Sequence, residues 1–149
     1  MYEELNYENI GQYVEICRNE KQRLGERNAE VQKNLCRILA YQKDCQRYKY
    51  DEGYDSLSEY AEKELGIKKA QAYQYVRVYE KFFESKKEAL RKMTEEFPIS
   101  NLAELVNIGD GILELAYKEE FIYPSMTQKQ LRECAKVFKE AQEKYPELK

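Results

Sequence analysis

Lys69, Gln71, Gln74 and Arg77 are the residues of this chain best suited to specific polar recognition. A carboxamide presents a donor beside an acceptor, which matches the edge of adenine, and a guanidinium fork matches guanine. Lys68, Lys81, Lys86 and Lys87 lie close by in sequence and are point charges suited to phosphate oxygens. Tyr73 joins them, because its hydroxyl can meet a phosphate and its ring can stack on a base. Its neighbour Tyr75 reads as a protein-facing edge and Tyr79 as core. Eight Lys or Arg against three Glu leave positions 68 to 92 at +5, so the rest of a chain at −3 carries −8. A phosphate-facing surface has this local imbalance. A solvated helix with ordinary i,i+4 pairs is also charged, but usually nearer to balance.

These residues need a helix that presents them and a partner that holds it. The stretch from Ser56 to Phe83 supplies both. Ser56 followed by Glu59 is a capping-box pattern, with the Ser56 hydroxyl placed to accept from the Glu59 N–H and the carboxylate able to reach back. Leu57, Tyr60, Ala61 and Leu65 recur at helical spacing. Gly66 stands where that helix must stop, since a residue without Cβ takes positive φ readily. Beyond the corner, Ala72, Val76, Tyr79 and Phe83 form the expected inward stripe of a second helix, with Lys69, Gln74, Arg77 and Lys81 towards the opposite side. Two helices joined by a short Gly-containing turn form either a plain αα-hairpin or a helix-turn-helix whose second helix enters the major groove.

The segment YAEKELGIKKAQAYQYVRVYEKF resembles the helix-turn-helix of small DNA-binding proteins from phages, plasmids and integrative elements. More distantly, it is similar to that of ParB-type partition proteins. Ala61, Leu65, Gly66, Ile67, Tyr73, Val76 and Val78 stand at the matching places. Ala61 precedes Gly66 by five residues where repressors commonly have four, so the first helix or the turn is one residue longer. The polar run opening the second helix is Lys68-Lys69-Ala70-Gln71 in place of the usual Ser or Thr. The resemblance covers about 30 residues and implies binding to double-stranded DNA.

Composition bounds the alternatives. The 149 residues suit one domain, or a small core with a helical extension. Few Gly and Pro beside 36 % charged residues favour helices over a sheet. No apolar run reaches 18 residues and the acidic N-terminus lacks a signal-peptide pattern, so neither a membrane role nor export is expected and the cytoplasm follows by default. The chain has no His, and no nucleotide-binding or nucleophile-elbow motif. No enzyme, no cofactor, no metal and no small-molecule substrate is therefore expected. Cys17, Cys36, Cys45 and Cys134 include no close pair and read as small apolar residues.

In chain order, the periodicity predicts a helix from about Asn6 to Leu24, capped by Asn6 or Asn9, with Ile10, Tyr13, Val14, Cys17 and Leu24 inward. A longer helix from about Asn28 to Tyr48 follows, bearing Val31, Leu35, Ile38, Leu39, Gln42 and Cys45. It either crosses the hairpin or pairs with its counterpart in a second chain. Gly53 centres a polar turn. After a weak point at Glu84 to Lys86, a basic extension resumes helical and stops before Pro98. Shorter helices then follow, with Ser100, Asp110 and Thr127 as expected caps. The expectation is an all-α, multi-helix bundle of six to eight helices built around a central helix-turn-helix. Residues 1–50 form an N-terminal pair with a possible dimerisation role, 51–97 the hairpin and its basic extension, and 98–149 the short helices.

Two functional expectations result. One is a sequence-specific double-stranded DNA-binding protein of a mobile element, a regulator or partition-like factor. It would bind as a homodimer on half-sites about one helical turn, ~34 Å, apart. The other is a protein-binding inhibitor of a host defence nuclease, of anti-CRISPR type, using the acidic remainder as a mimic of nucleic-acid charge.

Overall fold

In the computed structural model, which describes residues 4–149, every regular element is helical. Nine α-helical segments appear among the described residues, more than the six to eight expected; the predicted helix over Asn28–Tyr48 is broken in two. The chain divides into two compact units, one ending at Tyr79 and the other running from Glu80 to Lys149. No helix among the described residues is long and apolar enough to cross a membrane.

The first unit begins with α1 (Ile10–Leu24) and α2 (Ala29–Cys45). Asn6 makes the turn before α1, its Oδ1 accepting from the backbone N–H of Glu8 and Asn9 at 2.9 Å each. Ile10, Val14 and Cys17 are buried, whereas Leu24 is largely exposed. Asn28 caps α2 by accepting from the N–H of Glu30 and Val31. Buried positions lie on several sides of α2, from Val31, Leu35 and Leu39 to Cys36 and Ala40. That helix is the core of the unit, packed on α1 and on α5 (Lys69–Val78). A face left over for a second chain is correspondingly narrow.

α2 stops three residues short of the predicted end, because Gln46 takes a left-handed conformation at φ 56°. A short α3 (Arg47–Tyr50) follows. Gln42, fully buried, organises this break. Its Oε1 accepts from the Tyr48 N–H at 3.0 Å, and its Nε2 donates to the Tyr60 hydroxyl at 3.2 Å. Tyr60 in turn lies among Tyr48 and Tyr54, with ring centroids 6.0 and 5.7 Å away. Burying a glutamine is tolerable when both ends of the amide are bonded, as here.

The second unit contains α6 (Glu88–Glu96), α7 (Ile99–Ala103), α8 (Asp110–Lys118) and α9 (Gln128–Lys144). Its interior includes Leu90, Met93, Leu102, Leu105, Leu113 and Leu131. α6 stops at Glu96, as Pro98 requires. Thr127 and Gln130 complete a reciprocal capping box at the start of α9. Two expected caps fall differently. Pro98 occupies the N-cap of α7 in place of Ser100, and Gly109 that of α8 in place of Asp110. Asp110 lies instead in the first turn, where a carboxylate still favours the positive end of the helix dipole.

Candidate functional site

Ser56 opens the hairpin, its Oγ accepting from the Glu59 N–H at 3.1 Å. α4 (Leu57–Tyr60) passes directly into a π-helical turn, Ala61–Leu65. A π turn is how a helix absorbs one extra residue. It accounts for the five-residue spacing from Ala61 to Gly66: the Gly66 N–H reaches the Glu62 carbonyl at 3.1 Å and the Ile67 N–H the Ala61 carbonyl at 3.1 Å. Gly66 sits at φ 66°, ψ 29°, the left-handed conformation expected of it.

The corner is braced from α1. Lys21 Nζ donates to the Leu65 carbonyl at 2.9 Å, placing a cation on the negative end of the first helix. Arg18 pairs with Glu64 at 3.1 Å, and the Tyr54 hydroxyl donates to the same carboxylate. None of these long-range ties has a local sequence signal, since α1 and the corner are more than 40 residues apart.

α5 (Lys69–Val78) follows and packs chiefly on α2. Its buried face is Ala72, Tyr75, Val76 and Val78. Tyr79 and Phe83 are only half-buried while Phe82 is fully buried, so the inward stripe is rotated towards Tyr75, Val78 and Phe82 relative to the predicted one. Two adjacent rows of α5 are apolar, and a phenol hydroxyl counts against burial; Tyr75 is nevertheless 1 % exposed. Its hydroxyl has no partner in good hydrogen-bond geometry. Burial pushes this phenol up to about 12, with Gln71 and Gln32 close enough to oppose the shift. Tyr75→Phe is therefore expected to leave the chain as stable or stabilise it by about 1 kcal/mol, since it removes a poorly satisfied buried group; urea unfolding measures this.

The outward face of α5 carries Lys69, Ala70, Tyr73, Gln74 and Arg77, all exposed, with Lys68 exposed at the N-cap and Gln71 half-buried. Ala70, Tyr73, Gln74 and Arg77 follow the i, i+3, i+4, i+7 row of one helix face. Lys68 makes no side-chain cap, and the first turn of α5 has no acidic residue. Two lysines at the positive end of a helix dipole are unfavourable by themselves and become favourable when an anion docks there.

The remaining predicted phosphate contacts lie in the second unit and differ from one another. Lys86 is exposed. Lys81 Nζ is 2.7 Å from Asp110 Oδ1, and the side chain is only 15 % exposed. Lys87 Nζ lies 3.3 Å from Glu114 Oε1, and this pairing holds the Glu114 carboxyl below its usual range. Lys81 and Lys87 are thus engaged with α8, a correction to their reading as open phosphate ligands. Charge counting along the sequence missed this because the partners are 29 and 27 residues away.

Several phenols share the raised titration of Tyr75. The bond to Glu64 pushes Tyr54 up to about 12, and burial together with a bond to Glu96 does the same to Tyr117. Their folded values lie above the ordinary 10.0, so the folded state favours the neutral form. The stabilisation is complete below pH 10 and is lost as pH rises through about 12, where the unfolded chain ionises first. Unfolding midpoints measured at pH 8, 10 and 11.5 should fall at the last of these, and less steeply in Tyr75→Phe.

Comparison with family models, with curated proteins and with solved structures found no match to this chain.

Proposed function

We propose that this protein binds double-stranded DNA in a sequence-dependent manner, with the outward face of α5 set into the major groove. The observation that supports this most is the exposure of Lys69, Ala70, Tyr73, Gln74 and Arg77 together on one side, while the opposite side is anchored on α2. Ala70 keeps the start of that face low, so base edges can approach Gln74 and Arg77 closely. Lys68 and Lys69 meet phosphate beside the uncapped helix start, Lys69 serving the backbone there in place of the base edge its sequence position suggested, and Arg18 and Lys21 hold the corner that aims the helix.

A helix of ten residues reads only a few base pairs, so the protein acts as a homodimer on a palindromic site, in the manner of a regulator or partition-like factor of a mobile element. Selection from a random duplex pool, followed by sequencing, tests both points. A palindromic consensus with half-sites about ten base pairs apart is the expected result. Recovery of no consensus, with duplex binding that is absent at physiological salt, would remove this reading. A stable complex with a host nuclease in place of duplex binding would favour the inhibitor instead.

A further inference from the structure

A second feature lies wholly in the second unit, where α8 ends. A cleft of about 640 Å³ opens there, within the size range of small-ligand and side-chain pockets. Tyr117, Tyr123, Ile122 and Pro124 give it aromatic and apolar walls, and Glu96 and Glu120 give it two carboxylates. Neither carboxylate forms an ion pair among the described residues. The lysine in the lining, Lys118, is engaged outside it with Glu114 at 3.5 Å. The Tyr117 hydroxyl donates to Glu96 and so fixes that carboxylate in place. With two carboxylates against one ammonium, the cleft is net negative and aromatic.

Glu120 is in an unusual conformation. The Phe121 N–H bonds to the Ala116 carbonyl at 2.9 Å and the Glu120 N–H to the Tyr117 carbonyl at 3.2 Å, which together make a Schellman motif at the end of α8. Its left-handed position is normally filled by glycine, yet here it is Glu120, at φ 59°. The chain thus carries a carboxylate in the cleft at a position where glycine would be less strained. Phe121, the next residue, is 62 % exposed, and Tyr123 is 45 % exposed. Exposed aromatics at the rim of a cleft are typical of protein-docking surfaces.

We infer that this cleft is a docking site for an arginine-bearing segment of a partner protein. Charge complementarity selects a cation. The pairing of carboxylates with tyrosine rings selects guanidinium over ammonium, because a guanidinium is planar, stacks on aromatic faces and bonds carboxylates through two N–H groups at once. Pro124, exposed at the cleft wall, takes the aliphatic stem of the arginine. This site uses none of the residues of α5, so it stands or falls separately from duplex binding.

The test uses the full chain and a fluorescein-labelled Gly-Arg-Gly-Arg-Gly peptide, with Lys and Glu versions as controls, followed by anisotropy. The arginine peptide should bind best and the glutamate peptide not at all. Glu96→Gln and Glu120→Gly should each weaken binding about tenfold, the loss of one charge-assisted bond. Glu120→Gly should also melt no lower than the parent, because glycine relieves the left-handed backbone. Lys68→Ala with Lys69→Ala should leave peptide binding unchanged. Equal binding of all three peptides, or arginine binding that survives both carboxylate changes, would overturn the assignment. So would self-association of the chain that disappears in Glu96→Gln without any peptide binding, since the occupant would then be a second copy.

Discussion

Replacing Gly66 by valine is expected to lower the unfolding free energy of this protein by about 2–3 kcal/mol, combining a β-branched residue at left-handed φ with a weakened helix-end contact. The backbone at φ 66° is the larger part. A Cβ placed there would lie 3.0 Å from Lys21 Nζ, which is the movable end of a side chain and can yield. In yielding, it leaves the Leu65 carbonyl that it holds at 2.9 Å, so the first helix of the hairpin loses its terminal cation. Asparagine enters the left-handed region more readily than any β-branched residue, so Gly66→Asn should cost well under half as much. Urea unfolding of the three proteins in parallel gives the order Gly, Asn, Val. An unchanged midpoint for valine would mean that the corner is not held at positive φ. Because Gly66 sets the direction in which α5 leaves, the valine variant should also lose duplex binding at temperatures where it remains folded.

Residues that act on their immediate neighbours were legible in the sequence. Gly66, Pro98 and Thr127 each impose a local geometry that no distant contact needs to supply, and each acts as its chemistry predicts. Even the π turn had a trace, the surplus residue between Ala61 and Gly66. Ser56 shows the limit of such reasoning. Its hydroxyl bonds the Glu59 N–H as expected, but the Glu59 carboxylate reaches the Asp55 N–H at 3.3 Å, not that of Ser56. Gln46 was not legible, because nothing in a glutamine announces a left-handed conformation; the break depends on buried Gln42 holding the Tyr48 N–H. Tyr75 reads from the sequence as a protein-facing edge and not as the fully buried residue it is, for a related reason. Which of two apolar rows on α5 faces inward is decided by the shape of α2, and local periodicity does not contain that shape. The candidate site divides in the same way. Exposure of Lys69, Gln74 and Arg77 follows from the helical period, whereas the pairing of Lys81 with Asp110 depends on tertiary folding.

That division gives the lysines and the arginine of the basic stretch different expected phenotypes. At the selected duplex, Arg77→Ala or Gln74→Ala should weaken binding by about 1–3 kcal/mol, roughly 5- to 150-fold, and flatten the preference at one base position while leaving other duplexes nearly unaffected. Arg77→Lys should behave much like alanine at that position, since an ammonium does not reproduce a two-pronged contact with guanine. Lys68→Ala with Lys69→Ala should act on every duplex alike and reduce the slope of log affinity against log salt by about 2, one unit for each phosphate contact removed. Lys86→Ala should do the same by about one unit. Lys81 should depart from this series. Its ammonium is committed to Asp110 at 2.7 Å, so Lys81→Ala should change the stability of the second unit and leave the salt slope where it was. Titrations of these variants across 50–300 mM salt separate the cases. A loss of slope in Lys81→Ala equal to that in Lys86→Ala would mean that the Asp110 pair opens when DNA binds. Equal affinity of the parent and Arg77→Ala for every duplex in the pool would dissociate α5 from base reading altogether.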